Sequence, residues 1–455
     1  MISGDTIAAI ATAPGRGGVA VVRVSGPEAF GVARKVADRE PQPGRVTFVC
    51  LRSPASKVSR LKSEVAEDVR HETLDVIDTG LLLAFRAPHS YTGEDVVEFQ
   101  CHGGTVTPRR VLEACLAAGA RLARRGEFTE RAFLNGKLDY NQAESVLDLV
   151  DAKTARAADA ALEGLAGRRA RECRALYEQA LDLSTRIEHS LDVDEGELPA
   201  DFLLTVTSSV FRLKSSLREA IRRSTEGRLL QRGALVVLAG PPNAGKSSLL
   251  NALLEENRAI VSDVPGTTRD SIEAWIDLDG WPVRLVDTAG LRKSGDGIEA
   301  EGVKRSEDLI AKADVVVWLR VASCEFRDSR SETRNWQLIT IHAKCDLGRG
   351  EGLNVSAKTG EGLGDLKRAI VAKLEEKVAA DDAGDTPEGD VAAYHEALAI
   401  LSSPNPQPTT RNSQPDLVLL ANAVRGAAER LGAAVGATYS SDMLDNLFSR
   451  FCVGK

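Results

Sequence analysis

The sequence predicts a protein of the α/β plus α class, with an N-terminal α+β domain, a discontinuous helical domain and an α/β domain inserted into it. Short apolar segments alternate with turns as far as about Arg125. No proline occurs between Pro108 and Pro199, where apolar residues recur at helical spacing. Helical periodicity returns beyond about Lys377, after a run of strand-like segments. Because amphipathic helices need several partners to bury their apolar stripes, joining the two helical halves is the simplest arrangement.

The composition of the 455 residues is that of a globular protein, with 43% hydrophobic and 27% charged residues. The net charge of −8 argues against a protein that coats nucleic acids along its whole surface, so such contacts are expected to be local. The seven cysteines include no Cys-x-x-Cys pair, which indicates a reducing compartment and no zinc site. No stretch has the length of a membrane span. We therefore expect a cytoplasmic protein with no membrane partner.

The N-terminal part reads as mixed strands and helices. Strands are predicted at Val19–Val24, Gly80–Phe85 and Val96–Phe99, with helices from Glu28 and over Arg109–Ala118. The pattern between positions 40 and 70 is weak and predicts a variable loop.

Long amphipathic helices follow, and they set the domain boundaries. They are predicted from Asp139 to about Leu191 and over Asp201–Thr225, and again over Val391–Leu401 and Leu417–Leu431. We place the N-terminal domain at 1–137, the first helical part at 138–230, the inserted domain at 231–376 and the second helical part at 377–455.

The insert opens with a strand, a glycine-rich turn and a helix. Its Gly240-x-x-x-x-Gly245-Lys246-Ser247 spacing is that of a phosphate-binding P-loop, whose backbone N–H groups converge on phosphate oxygens. Lys246 would reach the β- and γ-phosphates, and the Ser247 hydroxyl would ligate Mg²⁺. The alternative is a strand-to-helix turn that binds nothing.

The rest of the insert reads as a GTPase-like sheet. A hairpin is predicted from Ile272–Leu278 and Val283–Val286, around the turn signal Asp279-Gly280. Parallel strands are predicted at Val315–Leu319, Leu338–Ile341 and Leu353–Val355, with a helix over Gly364–Glu375. One antiparallel strand on an otherwise parallel sheet is expected of such a domain.

Two loops would complete the phosphate and Mg²⁺ site. Asp287-Thr288-Ala289-Gly290 ends the second hairpin strand, where a carboxylate can reach the Mg²⁺ shell and the Gly290 N–H a γ-phosphate. The Gly266–Asp270 loop (GTTRD) offers Thr268 as a further Mg²⁺ ligand; its alternative is an ordinary turn. Leu291 cannot hold a nucleophilic water, so Glu299 is the acidic candidate for that role, or else a solvated loop charge.

Base choice is assigned to Ala343-Lys344-Cys345-Asp346 and Ser356-Ala357-Lys358. Asp346 can accept hydrogen bonds from the guanine N1–H and amino group, which predicts a GTPase rather than an ATPase. The usual first residue of this motif is Asn, and Ala343 replaces it. Losing that hydrogen bond should cost about 1–3 kcal/mol, or roughly 5- to 150-fold in affinity. We predict weakened but guanine-selective binding.

These motifs, in this order, resemble one family: the tRNA-modification GTPase MnmE family, also called TrmE. The resemblance runs nearly end to end, through PGRGG at 14–18, YTGED at 91–95, GEFTERAFLN at 126–135, PNAGKS, GTTRD, DTAGLR and the terminal FCVGK at 451–455. It implies a folate-binding and dimerising N-terminal domain, a helical domain and an inserted Ras-like P-loop GTPase domain that pairs with its twin in a homodimer.

The resemblance also implies particular site residues. A K⁺ ion would be held by Asn243 and by groups of Ser262, Val264 and Thr267, and Glu299 would position the attacking water. Mg²⁺ would be held by Ser247 and Thr268. The residues expected to contact GTP are Asn243, Ala244, Gly245, Lys246, Ser247, Ser248, Ser262, Thr267, Thr268, Asp287, Thr288, Ala289, Gly290, Lys344, Asp346, Ser356, Ala357 and Lys358.

In the N-terminal domain the resemblance implies a folate site. The matching positions are Arg23, Glu98, Lys137 and Lys455, each of which would otherwise be read as a surface charge. A carboxylate suits the donor edge of a pterin, and cations suit the glutamyl tail. The family repeats Phe-Cys-x-Gly-Lys at this terminus, so Cys452 is a further candidate catalytic residue, although a lone cysteine is usually incidental.

The implied activity is a potassium-dependent GTPase that works with a flavoprotein, MnmG or GidA. The pair would install a 5-carboxymethylaminomethyl-type group on the wobble uridine of certain tRNAs, with 5-formyl- or 5,10-methylene-tetrahydrofolate as the one-carbon source and FAD supplied only by the partner. One alternative is a GTP-controlled binding switch of the ribosome-assembly type. Another is a family member with impaired nucleotide binding, since Ala343 and the short segment Val321–Trp336 depart from the pattern.

Overall fold

The structure is a computed structural model that describes residues 4–54, 76–191, 199, 201–256, 273–288, 308–320, 337–380, 389–403, 414–435, 444 and 447–454. The chain divides into two compact units, which are residues 1–147 with 438–455, and residues 148–437. In the described part, no helix is long and apolar enough to cross a membrane.

The first unit contains a six-stranded sheet in the order β3-β4-β5-β2-β1-β6. Neighbouring strands are antiparallel except for β1 and β6, which are parallel. Helices α1, α2 and α3 accompany it. The elements are β1 (Ile7–Ile10), β2 (Val19–Ser25), α1 (Ala29–Ala37), β3 (Val46–Arg52), β4 (Val76–Phe85), β5 (Val96–His102), α2 (Thr107–Ala117), β6 (Arg121–Leu122) and α3 (Glu127–Leu134).

One prediction for this unit was wrong. The segment expected to be a variable loop contains strand β3, which pairs with β4 along its length. Val49 and Leu51 of β3 are buried in the core with α1, whereas Val46 and Phe48 are exposed. Because apolar residues lie on both faces of the strand, the polar-apolar alternation that marks a half-buried strand is absent.

The C-terminal segment belongs to the same unit. Leu447, Phe448 and Phe451 share an apolar cluster with Ala143 and Leu147. A β-bridge also joins Val453 to Arg125. The segment that carries the terminal motif is therefore fixed beside the start of helix α3.

The second unit contains a helical core built from both sides of the insert. Helices α6 and α7 precede the insert, helices α10 and α11 follow it, and their buried residues form one cluster. This confirms the discontinuous helical domain. The helices are α4 (Tyr140–Asp151, which spans the boundary of the two units), α5 (Ala155–Leu165), α6 (Arg168–Leu191), α7 (Phe202–Arg232), α10 (Gly389–Ser402) and α11 (Gln414–Val435).

The insert is a second six-stranded sheet in the order β12-β11-β10-β7-β9-β8. Every neighbouring pair is parallel except β8 and β9. Both the predicted hairpin and the predicted GTPase-like sheet are confirmed. The elements are β7 (Ala234–Ala239), α8 (Lys246–Glu256), β8 (Glu273–Leu278), β9 (Trp281–Asp287), β10 (Val315–Arg320), β11 (Gln337–Ala343), β12 (Leu353–Val355) and α9 (Leu363–Ala379).

The hairpin turn explains why its two residues are Asp and Gly. Asp279 and Gly280 have φ values of 49° and 85°. Positive φ at both central positions is the geometry of a type I′ turn, whose twist matches the flanking strands. Strand β7 lies in the middle of the sheet with all its residues buried. The loops after the carboxyl ends of β7, β9 and β11 therefore lie at one edge, where ligands bind in such sheets.

Candidate functional site

The turn between β7 and α8 has the backbone conformation of a phosphate-binding loop. Gly240 and Gly245 have φ values of 144° and 97°, and Asn243 has a φ of 62°. A Cβ on Gly240 would lie 2.7 Å from the Leu319 carbonyl oxygen, so only glycine fits there. Asn is among the few residues with a side chain that adopt this left-handed region readily.

Lys246 is buried, and its ammonium group lies across the loop. Its Nζ donates to the carbonyl oxygens of Gly240 and Pro241, at 2.9 Å each. The positive charge is thereby held beside the loop and at the N-terminus of α8, where a phosphate is favoured.

The Mg²⁺ candidates meet at the end of strand β9. Ser247 Oγ donates to Asp287 Oδ2 at 2.5 Å, and the Asp287 side chain is buried. The neighbouring Thr288 Oγ1 donates to the Leu238 carbonyl oxygen at 3.0 Å, which fixes the end of β9 to β7. A hydroxyl and a carboxylate are the oxygen ligands that Mg²⁺ prefers, so these two side chains fit the metal.

A cavity of about 290 Å³ extends from the phosphate loop to the predicted base-binding segments. Ser356 Oγ donates to Asp346 Oδ1 at 2.7 Å, and this hydrogen bond lowers the pKa of Asp346, which therefore remains an ionised acceptor. Lys344, with a φ of 59°, donates from Nζ to the Asn243 carbonyl oxygen at 2.9 Å. The base-binding segment is thus tied to the phosphate loop. The cavity is lined by Ala244, Gly245, Ser248, Leu249, Leu319, Ile341, Ala343, Lys344, Asp346, Leu347, Val355, Ala357 and Lys358.

Ala343 forms part of the apolar wall of this cavity. It ends strand β11 and lines the cavity together with Leu319 and Ile341. Since none of these three side chains has a polar atom, the wall offers a base no side-chain hydrogen bond there.

Two of the predicted folate residues form an ion pair in the first unit. Arg23 on β2 and Glu98 on β5 are paired across the strands, and Arg23 Nε lies 2.8 Å from Glu98 Oε1. The guanidinium carbon of Arg23 is 5.5 Å from the ring centre of Tyr91 and 5.6 Å from that of Phe128. The third residue, Lys137, donates from Nζ to the Pro88 carbonyl oxygen at 3.1 Å. A half-buried pair of opposite charges beside two aromatic rings suits a ligand with a flat polar ring and a charged tail.

Sequence reasoning missed the charge network that holds this region together. Arg131 is buried and donates to Glu94 and Glu127 at 3.1 Å, and to Asp5 Oδ1 at 2.8 Å. Burial alone would raise the pKa of Glu127, but hydrogen bonds from Arg121, from the Arg124 N–H and from Arg131 lower it to about 2. Glu94, Glu127 and Arg131 lie in the YTGED and GEFTERAFLN motifs. The charged residues within those motifs were the signal from which the network could have been predicted, and their role is to hold the fold together.

The remaining predicted residues fall into two groups. Cys452 is exposed, and its carbonyl oxygen accepts from the Gly126 N–H at 3.4 Å. The others lie outside the residues that the structure describes: Ser262, Val264, Thr267, Thr268, Ala289, Gly290, Glu299 and Lys455.

Known proteins resemble the chain along its whole length. Two family profiles match, "GTP-binding protein TrmE N-terminus" over residues 6–137 and "MnmE helical domain" over residues 141–452. The tRNA modification GTPase MnmE of Symbiobacterium thermophilum is 40% identical, with 99% of each chain covered. The protein of that name from Dichelobacter nodosus is 39% identical, with 100% of each chain covered.

Among solved structures, the G domain of the T. maritima FeoB iron transporter matches 31% of this chain and 98% of its own, at 26% identity and a TM-score of 0.23. A score this low supports no inference of its own. The two family profiles and the full-length relatives decide the assignment: the chain belongs to the MnmE family of tRNA modification GTPases.

Proposed function

We propose that the chain is a potassium-dependent GTPase that modifies the wobble uridine of certain tRNAs together with a flavoprotein of the MnmG (GidA) type. The observation that carries the proposal is one continuous site, in which the phosphate loop around Lys246 opens into a cavity that ends at Asp346. Such a cavity suits a nucleotide whose base is guanine, because an ionised Asp346 accepts the two donors on the guanine edge.

Different described residues would contact the phosphates of GTP and the metal ions bound with it. Lys246 would bind the phosphates, and Ser247 with Asp287 would hold Mg²⁺, to which Thr268 would add a ligand. When bound, K⁺ would supply positive charge against the β- and γ-phosphates, with Asn243 as its one candidate ligand in the described loop. Its other candidates, Ser262, Val264 and Thr267, and the water-positioning Glu299 rest on the family resemblance.

The first unit would bind a reduced folate as the source of one carbon. Arg23 and Glu98 form a half-buried pair, of which the carboxylate could meet a pterin edge and the guanidinium a carboxylate tail. Lys137, Lys455 and Cys452 are proposed around the same ligand. Cys452 is exposed and lies in the segment bridged to Arg125, so its thiol is accessible for chemistry in the first unit.

We further propose a homodimer that acts on tRNA in the cytoplasm. Strand β3 is at the edge of the described sheet, and its Val46 and Phe48 are 62% and 68% exposed. A long edge strand with exposed apolar side chains is a liability in a monomer, and pairing with a second copy would cover it.

The function is tested by measuring GTP hydrolysis in KCl and in NaCl, with retention of radiolabelled 5-formyl-tetrahydrofolate assayed in parallel. We expect faster hydrolysis in KCl and retained folate. The variant Lys246→Ala should lose hydrolysis but retain folate, and Arg23→Ala should do the reverse. Equal rates in the two salts would contradict the potassium assignment, and hydrolysis without folate retention would favour a binding switch.

A further inference from the structure

Hairpin β8–β9 is held at its turn by the start of helix α5. Thr154 is the N-cap of α5, and its Oγ1 accepts from the Ala157 N–H at 3.2 Å. The same hydroxyl donates to the Gly280 carbonyl oxygen at 2.7 Å. The Thr154 side chain therefore caps helix α5 and also binds the hairpin turn to the start of that helix.

Arg156 makes the second attachment. Its guanidinium carbon lies 4.3 Å from the ring centre of the buried Trp281, and its Nη2 lies 2.5 Å from Glu226 Oε1 on α7. A Cβ on Gly280 would be 3.0 Å from the Cβ of Arg156, so the helix approaches the turn as closely as glycine allows. Trp281 also shares one apolar core with Ala157 of α5 and Leu229 of α7.

We name Thr154, Arg156, Glu226, Gly280 and Trp281 the hairpin clamp. Its position on β9 gives it a role beyond stability. Trp281 and Asp287 are the first and last residues of β9, about 20 Å apart for an extended strand. The clamp holds one end of the strand, and the other end bears the carboxylate proposed to bind Mg²⁺.

Nucleotide binding must change the contacts at the Asp287 end. In this structure Ser247 Oγ donates directly to Asp287 Oδ2 at 2.5 Å. A Mg²⁺ ion bound by Ser247 and Asp287 would replace that hydrogen bond, so Asp287 would have different partners with and without the metal. A ligand shifts a structure only through such a difference in contacts.

We propose that Thr154 and Arg156 are positioning residues that couple the Mg²⁺ end of β9 to helices α5 and α7. The inference rests on the proposed nucleotide site. Strand β9 lies between β7 and β8 in the sheet and is pinned at Trp281, so a change at Asp287 reaches α5 through the clamp. Coupling is reciprocal: if nucleotide binding shifts the equilibrium of α5 and α7 by some factor, a matching shift in those helices would change nucleotide affinity by the same factor.

The test is hydrogen–deuterium exchange of the full chain in KCl, without nucleotide and with Mg²⁺ and a non-hydrolysable GTP analogue. In the parent protein we expect nucleotide to change exchange both in the loop 240–247 and in α5. In Arg156→Ala the loop should still respond, whereas the response of α5 should fall about fivefold or more. Arg156→Lys keeps a cation over Trp281 and should preserve part of the response.

Arg186→Ala is the matched control, since Arg186 is exposed on α6 and its partner among the described residues is Asp182 on the same helix, at 2.9 Å. It should respond as the parent does. If α5 responds equally in Arg156→Ala, or not at all in the parent while the loop responds, the coupling is overturned. If the loop itself fails to respond, the proposed nucleotide site is overturned and the coupling with it. Should Arg156→Ala not fold, Thr154→Val gives the same comparison, because it removes the hydroxyl that bonds to the Gly280 carbonyl oxygen.

Discussion

At the residue scale, the proposed nucleotide cavity has an acidic side chain, Asp346, among its described lining residues. Asp346, held by Ser356, would accept from one edge of the proposed guanine base, while Ala343 leaves the neighbouring wall apolar. Guanine selectivity and tight binding are thus separable properties of this site. Guanine selectivity should survive the replacement of the usual Asn by Ala343, whereas tight binding should not.

Ala343→Asn should therefore bind GTP more tightly, by roughly 5- to 150-fold, because it restores one hydrogen bond in a closed site. Titration calorimetry with GTP and with ATP measures both affinity and selectivity. Ala343→Val adds volume without a hydrogen bond and should give no gain. Unchanged GTP affinity in Ala343→Asn would show that the apolar wall does not weaken binding.

The lowered pKa of Glu127 predicts how the stability of the first unit depends on pH. Its pKa is about 2 in the folded chain against an ordinary 4.5. A lowered pKa means that the stabilisation is fully present above pH 4.5 and is lost as the pH falls towards 2. The shift corresponds to about 3 kcal/mol at neutral pH.

Calorimetric scans of the full-length Glu127→Gln variant should show a lower unfolding temperature than the parent at pH 7. The difference should shrink steadily below pH 4.5, since the parent loses the same charge by protonation. Glu113→Gln alters an exposed glutamate of α2 and should change little at any pH. A difference that stays constant down to pH 2.5 would exclude Glu127 as the titrating group.

The phosphate loop and Asp346 could be predicted at this scale because their chemistry depends on spacing within a few residues. The Arg131 network could not. Arg131 and Asp5 are separated by 126 positions, and their contact depends on how β1 and α3 pack. The Arg23–Glu98 pair depends likewise on the register between β2 and β5.

At the element scale, Asp314 joins the ends of two helices and two strands. It is buried immediately before β10, accepts from the Leu235 N–H of β7 at 2.8 Å, and pairs with Arg232 of α7 at 2.8 Å. Lys377 at the end of α9 contacts it at 3.0 Å. This cluster therefore fixes the start of β7 to the ends of α7 and α9. Strand β7 leads directly into the phosphate loop.

Asp314→Ala should destabilise the second unit by about 3–5 kcal/mol, because it leaves the buried Lys377 charge without this partner. Hydrogen exchange of the β7 and β10 amides measures the change. Asp365→Ala removes an exposed carboxylate of α9 that pairs with Arg368, and it should cost under about 1 kcal/mol. Equal effects of the two substitutions would show that the cluster adds no more than a surface pair.

Elements with one strong periodicity were predictable from the sequence, as the hairpin, the parallel strands and the long helices show. Strand β3 was not, because its exposed Val46 and Phe48 remove the alternation of a half-buried strand. The clamp on the hairpin was also out of reach, since it joins Thr154 to a turn 126 positions away.

At the scale of the whole molecule, the proposed homodimer would cover the exposed face of β3 with a second copy of the chain. In a two-fold dimer the interface contains two copies of Phe48, one from each chain, so a single substitution changes it twice. Burying one such side chain contributes about 1.5–3 kcal/mol, so a charge at this position in both copies should weaken the dimer roughly 100-fold or more.

Phe48→Glu should accordingly shift the full-length protein from dimer to monomer in analytical ultracentrifugation at micromolar concentration. Leu204→Glu is the matched control, since Leu204 is 77% exposed but lies on α7 in the other unit, and it should remain dimeric. Because Phe48 is exposed within one chain, Phe48→Glu removes no core side chain, and the monomer should keep the unfolding transition of the first unit. A Phe48→Glu protein that sediments as the parent does would place the subunit interface elsewhere and leave the exposed face of β3 without this explanation.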